Sequence, residues 1–253
     1  MVARREQFTL DISGIRLPGQ GEFHVSPANA EAVTLIEADH LWPGGRLVLC
    51  GPEGAGKSHL AALWATRRGS RVIAAETLAR PPEARSRSAT GSDMLAAAEA
   101  PGLVIEDIDR LPGDRAAEEA LFHLFNAAVG AGTPLLMTTR RPPARLPFTL
   151  PDLASRLAAC QLVKLAPPDD TLLAAVLIKL FAERQIAPPP GLIRWLLPRM
   201  ERSFAAARAL VAEIDRIALS EGRPVGRAVA ARALDKLNAV ASQSDPPAEE
   251  KNR

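Results

Sequence analysis

Residues 51–58 read Gly-Pro-Glu-Gly-Ala-Gly-Lys-Ser, a glycine-rich run that ends in a lysine and a serine. Glycines let the backbone curl closely enough for several N–H groups to point at phosphate oxygens. In this pattern Lys57 reaches the β and γ phosphates, and the Ser58 hydroxyl can ligate Mg²⁺. The run therefore predicts a P-loop for ATP or ADP with Mg²⁺. The predicted nucleotide-binding residues are Gly51, Pro52, Glu53, Gly54, Ala55, Gly56, Lys57, Ser58 and His59.

The flanking segments place this loop between a strand and a helix. Residues 46–50 are a short apolar run, and Leu60, Leu63 and Trp64 lie on one face of a helix predicted at 59–68. Further strands are predicted at 71–75, 103–105 and 134–139, and further helices at 26–38 and 116–129. Strands that alternate with helices indicate right-handed βαβ units, and so an α/β fold with a parallel sheet core.

The pattern changes after the proline pair at 167–168, where helices follow one another without strands, at 171–184, 190–198 and 203–219. This change predicts a small all-α second domain. We divide the chain into an extended tail at 1–20, a nucleotide-binding base at 21–166, a helical lid at 167–238 and a disordered tail at 239–253. Residues 80–93, low in apolar content, are expected to form a mobile loop.

Composition narrows the class of protein. Lys and Arg total 31 against 29 for Asp and Glu, a net charge of +2 that gives no strong electrostatic case for binding nucleic acid. No apolar run approaches the roughly 18 residues of a membrane helix, and the N-terminus shows no secretory signal. We therefore expect a cytoplasmic protein without membrane contact. Cys50 and Cys160 are expected to be reduced thiols of the core.

An acidic pair, Glu106-Asp107, ends the third predicted strand. A P-loop ATPase needs a carboxylate at a neighbouring strand tip to hold Mg²⁺, and often a second one to orient the attacking water. We assign Glu106 together with Ser58 to the metal, and Glu106 and Asp107 to catalysis. A solvated acidic pair at a strand end is the alternative.

Residues 150–157 read Leu-Pro-Asp-Leu-Ala-Ser-Arg-Leu. Together with the P-loop, the acidic strand and Phe23, Asn29 and Ala32, they resemble the DnaA-related AAA+ proteins, most closely those of the Hda type, over roughly residues 7–238. The resemblance implies an AAA+ P-loop NTPase fold and an arginine finger at Arg156. Such a finger acts in trans, on the γ-phosphate bound by a neighbouring protomer. A surface arginine on a helix is the alternative.

Thr139 ends the fourth predicted strand, where AAA+ proteins carry a polar residue that senses the γ-phosphate. The resemblance thus adds Thr139 to the catalytic candidates. A hydroxyl at the end of a strand more often caps a turn or a helix, which is the alternative.

Residues 7–12 read Gln-Phe-Thr-Leu-Asp-Ile. Proteins of the Hda type carry near the N-terminus an extended peptide that inserts into a hydrophobic pocket of the DNA polymerase sliding clamp. The resemblance therefore assigns clamp binding to Gln7, Phe8, Leu10 and Ile12, while Asp11 replaces the proline of that peptide. A few buried anchors suit this mode of recognition. The alternative is a strand that pairs with the edge of the domain's own sheet.

Three features depart from the family pattern. Ala205 stands where the lid should present an arginine to the nucleotide, and Arg202 or Arg208, about one turn away, can substitute for it. The order Glu106-Asp107 reverses the commoner one, and Arg140 replaces an acidic residue. These departures affect hydrolysis by the chain itself more than nucleotide binding, and they predict weak intrinsic ATPase activity at most.

DnaA continues beyond its lid into a DNA-binding helix-turn-helix domain, whereas only about sixteen residues follow Leu237 here. The resemblance therefore implies a regulator that acts with the sliding clamp. It would stimulate ATP hydrolysis by DnaA, repress re-initiation of chromosomal replication and contact DNA only indirectly. The alternative is a self-contained oligomeric ATPase that remodels proteins or loads a helicase. The preference for ATP or ADP and the oligomeric state, a homo-oligomer included, stay open.

Overall fold

The computed structural model describes residues 25–78 and 96–244. The chain divides between Pro167 and Pro168 into two compact units. The tail peptide at 7–12, Phe23 and the loop expected at 80–93 lie outside the described residues. In the part of the chain that is described, no helix is both long and apolar enough to cross a membrane.

The first unit is built on a five-stranded sheet in which every neighbouring pair of strands is parallel. Its strands are β1 (Arg46–Cys50), β2 (Arg71–Ala74), β3 (Leu103–Glu106), β4 (Leu135–Thr139) and β5 (Gln161–Lys164), in the spatial order β2-β3-β4-β1-β5. The predicted α/β fold is confirmed. The sequence analysis missed β5, which lies at an edge of the sheet, begins with the polar residue Gln161 and ends with Lys164. Of its four residues only Val163 is buried, so it shows no continuous apolar run.

Helices cover both faces of this sheet. Leu47 and Leu49 pack with α1 (Ala30–Glu37) and α2 (Lys57–Arg68), whereas Val48 packs with α3 (Arg115–Ala131) and α4 (Pro151–Ala158) on the opposite face. Successive side chains of a strand point to opposite faces, so a strand between two helical layers is apolar at every position. This explains the unbroken apolar runs at 47–50 and 134–137.

The first helix begins later than predicted. Ser26 and Pro27 lie in a turn in which the Ser26 carbonyl accepts the N–H groups of Asn29 and Ala30, at 3.0 and 2.9 Å. The Asn29 side chain accepts the Ser26 N–H at 2.9 Å, which closes the turn. Helix α1 therefore starts at Ala30, four residues after the predicted start.

The second unit contains only helices over its described residues, and they enclose a core of their own. They are α5 (Asp170–Glu183), α6 (Leu192–Leu196), α7 (Phe204–Glu221) and α8 (Arg227–Ser244). Asp169 and Ser203 cap α5 and α7, because their side-chain oxygens accept N–H groups of the first turn at 2.8 and 3.0 Å. Helix α8 extends to Ser244, so the disordered tail predicted from residue 239 is wrong for residues 239–244. Ala230, Ala233 and Leu234 are buried and anchor the first half of this helix. Its last turns are polar in sequence but remain helical.

Candidate functional site

The candidate site forms where β1, β3 and β4 end at their carboxyl edge. Cys50 and Thr139 are register partners at the ends of β1 and β4, and the Gly51 N–H donates to the Thr139 carbonyl at 3.1 Å. Because the strands are parallel, the loop after Cys50, the acidic pair after Ile105 and the residues after Thr139 emerge at one edge. In open α/β sheets this edge is where ligands bind.

The loop at 51–58 has backbone geometry that requires its glycines. Gly54 and Gly56 have φ angles of 73° and 92°, a region that side chains disfavour. A Cβ at position 51 would lie 2.6 Å from the carbonyl oxygen of Leu165, which follows β5. Glycine at these three positions thus lets the loop curl between β1 and α2.

Lys57 opens helix α2 and is only 6% exposed. Its ammonium group donates to the carbonyls of Gly51 and Pro52, both at 2.8 Å, so it lies inside the curve of the loop. Burial lowers the pKa of Lys57, while the carboxylates of Asp107 and Asp109 act in the opposite direction. Ser58 follows at the exposed helix N-terminus, where N–H groups and the helix dipole favour an anion.

Glu106 is the half-buried last residue of β3, and Asp107 turns the chain away from the sheet. Asp107 has a φ of 57°, and its N–H donates to the Thr138 hydroxyl at 2.9 Å. Its carboxylate lies 3.5 Å from the Nε atom of Arg110. The fold therefore brings the predicted acidic pair to the same sheet edge as the P-loop.

Thr139 is buried, and its hydroxyl donates to the Arg141 carbonyl at 2.7 Å. The hydroxyl oxygen also faces the Arg141 N–H at 3.3 Å. Both contacts stabilise the turn after β4, which is the capping role given above as the alternative to phosphate sensing.

Arg140 joins three parts of the site. Its backbone N–H and its Nε donate to the Asp109 carboxylate at 3.0 and 2.9 Å, and its Nη1 lies 3.5 Å from Glu53 of the P-loop. The sequence analysis did not select Asp109. The sequence signal was a third carboxylate, two residues after the acidic pair.

The residues present fit Mg²⁺ bound together with a nucleotide. Among the described residues no group of three His, Cys, Asp or Glu side chains is arranged to hold a metal by itself. Mg²⁺ in such sites is held by one or two protein oxygens together with phosphate oxygens and water, a role open to Ser58 and Glu106. Bound there, the ion would neutralise phosphate charge.

Arg156 lies on the exposed face of α4, whose Leu153 and Leu157 are buried in the core below it. Its guanidinium carbon lies 5.3 Å from the centre of the Phe122 ring. Within residues 25–78 and 96–244, no carboxylate is within ion-pair distance of Arg156, and no hydrogen bond joins its side chain to the P-loop.

Glu118 on α3 is fully buried and was missed by the sequence analysis. Its carboxylate accepts the N–H groups of Gly113, Thr149 and Leu150 and the Thr149 hydroxyl, at 2.8–3.1 Å. Burial alone would raise the pKa of Glu118, but these hydrogen bonds outweigh it and lower the pKa. Because Thr149 and Leu150 directly precede α4, Glu118 fixes the start of the Arg156 helix. The sequence signal for a buried glutamate was its position: Glu118 falls at helical spacing with the apolar residues Leu121 and Phe125.

The lid candidates lie in the second unit. Ala205 and Arg208 are exposed residues in the first turns of α7. Arg202 is half exposed and pairs with Asp170 at 2.8 Å, next to the start of α5. Arg202 thus already has a partner within its own unit.

No known protein-family model matches the sequence. Among solved structures, the chain is similar to the replication initiator DnaA bound to AMPPCP and single-stranded DNA. The TM-score is 0.62 and the identity 22%, over 76% of this chain and 63% of that one. Domain III of DnaA from Thermotoga maritima gives a TM-score of 0.71 at 20% identity, over 85% of this chain and 94% of that chain. The AAA domain of FIGL-1 gives 0.63 at 16% identity, over 86% of both chains.

The chain therefore has the AAA+ P-loop fold, and its glycine-rich loop and acidic pair lie together at the carboxyl edge of the sheet. Within that class, several of the similar structures are DnaA proteins. The chain spans less than two thirds of the length of the DnaA chain in the AMPPCP complex.

Proposed function

We propose that this chain is a nucleotide-bound AAA+ regulator of the Hda type that presents Arg156 to ATP held by DnaA and promotes its hydrolysis. The observation that carries the proposal is the state of Arg156. It is an exposed arginine on a helix fixed by buried contacts, its guanidinium packs on the Phe122 ring, and no described carboxylate lies within ion-pair distance of it. A guanidinium placed against a γ-phosphate stabilises the charge of the transition state.

The contacts of Arg156 favour action in trans. Its guanidinium packs on Phe122 of α3. Contacts to the loop at 51–58 are made instead by Lys57, from within the loop, and by Arg140. These observations support a finger that serves a neighbouring molecule. The similar structures include DnaA with a bound ATP analogue, which makes DnaA the proposed recipient.

The contacts at the sheet edge favour the proposal that the chain itself hydrolyses ATP only weakly. The hydroxyl of Thr139, the candidate phosphate sensor, donates to the Arg141 carbonyl in the turn after β4. Arg140 stands where relatives often have an acidic residue, and it pairs with Asp109 and lies 3.5 Å from Glu53. The nucleotide would then remain bound and stabilise the folded protein, and it would seldom be hydrolysed.

The sliding clamp is the second proposed partner, through the peptide at 7–12. Changing Gln7, Phe8 and Leu10 together to alanine should abolish clamp binding, because a few anchors carry most of the affinity of such peptides. Surface plasmon resonance on immobilised clamp measures this, and a thermal melt of the same variant provides the control. Unchanged clamp binding would contradict the proposal. A large loss of thermal stability would instead show that the peptide is a strand of the core.

The main test measures hydrolysis of DnaA-bound radiolabelled ATP with the chain and with DNA-loaded clamp. Arg156→Ala should lower the stimulated rate by a factor on the order of 10³, and Arg156→Lys should restore little, because an ammonium cannot reproduce the planar fork of donors. The affinity of the chain for its own nucleotide should not change. Arg145→Ala is a matched control, since Arg145 is an exposed arginine in the connection that leads into α4, six residues before the helix begins at Pro151.

Wild-type stimulation by Arg156→Ala would overturn the finger role. The alternative function, a self-contained oligomeric ATPase, is favoured by one observation: the chain carries both a P-loop with an acidic strand and an exposed arginine. In that case hydrolysis would rise steeply with the concentration of the chain alone and would need neither DnaA nor the clamp.

A further inference from the structure

Two residues on one face of α3 contact the segment that carries Arg156. Glu118 and Phe122 are four positions apart, so their side chains lie one turn apart on the same side of the helix. Glu118 binds the residues just before α4, and Phe122 lies under the Arg156 guanidinium. Neither residue is needed to explain nucleotide binding.

Glu118 accepts N–H groups at the start of α4, the role that an N-cap side chain usually has. The N-cap position of α4 is Leu150, whose side chain makes no capping hydrogen bond, and Pro151 follows it. The Glu118 carboxylate takes the Leu150 N–H at 2.8 Å and both the N–H and the hydroxyl of Thr149. A buried carboxylate with this many donors holds the start of α4 in one place and supplies negative charge at its positive end.

Phe122 then limits where the guanidinium can lie. The distance of 5.3 Å from the Arg156 guanidinium carbon to the ring centre is within the range of a cation–π contact. Such a contact leaves the charge of the arginine unpaired and its donors available, unlike a salt bridge. One turn further on, the Cys160 thiol donates to the Arg156 carbonyl at 3.3 Å.

We propose that Glu118 and Phe122 are positioning residues for Arg156: Glu118 fixes the start of its helix, and Phe122 fixes the direction of its guanidinium. The proposal rests on the function proposed above. A long arginine side chain loses much rotamer freedom when it engages a phosphate, and a preformed contact removes part of that cost in advance.

The test uses the full chain with DnaA and DNA-loaded clamp, and measures the maximal stimulated hydrolysis rate and the concentration of chain for half-maximal stimulation. Phe122→Leu keeps apolar packing but removes the aromatic face. It should lower the maximal rate roughly 2- to 5-fold, the range for an exposed contact of this kind, and leave the half-maximal concentration nearly unchanged. Phe122→Tyr, which restores an aromatic face, should rescue the rate.

Glu118→Gln should also lower the maximal rate, and Glu119→Gln should not, because Glu119 is the neighbouring glutamate and is half exposed on the same helix. If Glu118→Gln fails to fold, the Phe122→Leu and Phe122→Tyr variants still test whether Arg156 is positioned by its contacts with α3. Equal rates for Phe122→Leu and wild type overturn the inference while the proposed function stands. Absence of stimulation by the wild-type chain overturns the proposed function itself, so the two failures are distinguishable.

Discussion

At position 57 the chain buries a cation, and the loop around it offsets the cost. An ammonium group removed from water is unfavourable unless it is hydrogen-bonded, and Lys57 donates to two loop carbonyls. The same side chain is the cation placed to reach phosphates. A single residue thus links the conformation of the loop to its ligand.

Lys57→Ala should abolish binding of ATP and of ADP, because it removes the charge-assisted contacts to the β and γ phosphates. Titrations with fluorescent ATP and ADP measure both affinities. Lys179→Ala, which removes an exposed lysine of α5 in the second unit, serves as the control and should bind normally. An unchanged affinity in Lys57→Ala would mean that nucleotide binds elsewhere.

At the scale of secondary structure, α4 depends on α3. Leu153 and Leu157 bury one face of α4, but a helix of eight residues is marginal without fixed ends. Glu118 supplies the fixed end from a neighbouring helix. Stability and the placement of Arg156 therefore depend on the same carboxylate.

Glu118→Gln should lower the free energy of unfolding at neutral pH by about 2 kcal/mol, because an amide offers fewer acceptors to the buried N–H groups and turns a donor toward them. Urea unfolding measures the loss, with Glu119→Gln as the control. The pKa of Glu118 is lower in the folded than in the unfolded chain, so its contribution is present above the ordinary glutamate pKa of about 4.3.

That contribution declines below the ordinary pKa, because the unfolded chain binds the proton first, and it is lost once the pH has fallen through the lowered pKa of the folded chain. The difference between wild type and Glu118→Gln should therefore shrink in unfolding measurements at pH values progressively below about 4.3. A difference that stays constant down to pH 3 would show that the hydrogen bonds to the carboxylate are not its source.

At the scale of the whole molecule, the two units have separate cores and separate fluorescent reporters. Trp42 and Trp64 stack in the first unit with ring centres 5.2 Å apart, and Trp195 belongs to the helical core of the second. These three are all the tryptophans of the chain. The Trp195→Phe variant would therefore report on the first unit alone.

In Trp195→Phe, nucleotide at about 100 times its Kd should stabilise the first unit by about 2.7 kcal/mol, since ligand that binds only the folded state shifts the equilibrium. Tryptophan fluorescence during urea unfolding measures the shift of the midpoint. The same titration in a variant that also carries Lys57→Ala should show no shift. A wild-type loop that gives none would contradict nucleotide binding by the first unit.

The sequence by itself determined the α/β fold, four of the five strands and the P-loop. Those features are local in the sequence. They rest on continuous apolar runs, on glycines with positive φ in the loop and on the lysine that follows those glycines. The acidic pair at 106–107 could be found in the same way, because parallel strands bring their carboxyl ends to one edge.

Only the tertiary structure decided what the polar side chains do there. Thr139 serves a turn, Arg140 pairs with Asp109, and Glu118 binds a segment that starts 31 residues later in the chain. A buried hydrogen bond between distant residues leaves no period in the sequence, and an edge strand such as β5 has too few buried residues to show one. The partners of these groups are set by packing across the sheet, which brings residues together without regard to their separation along the chain.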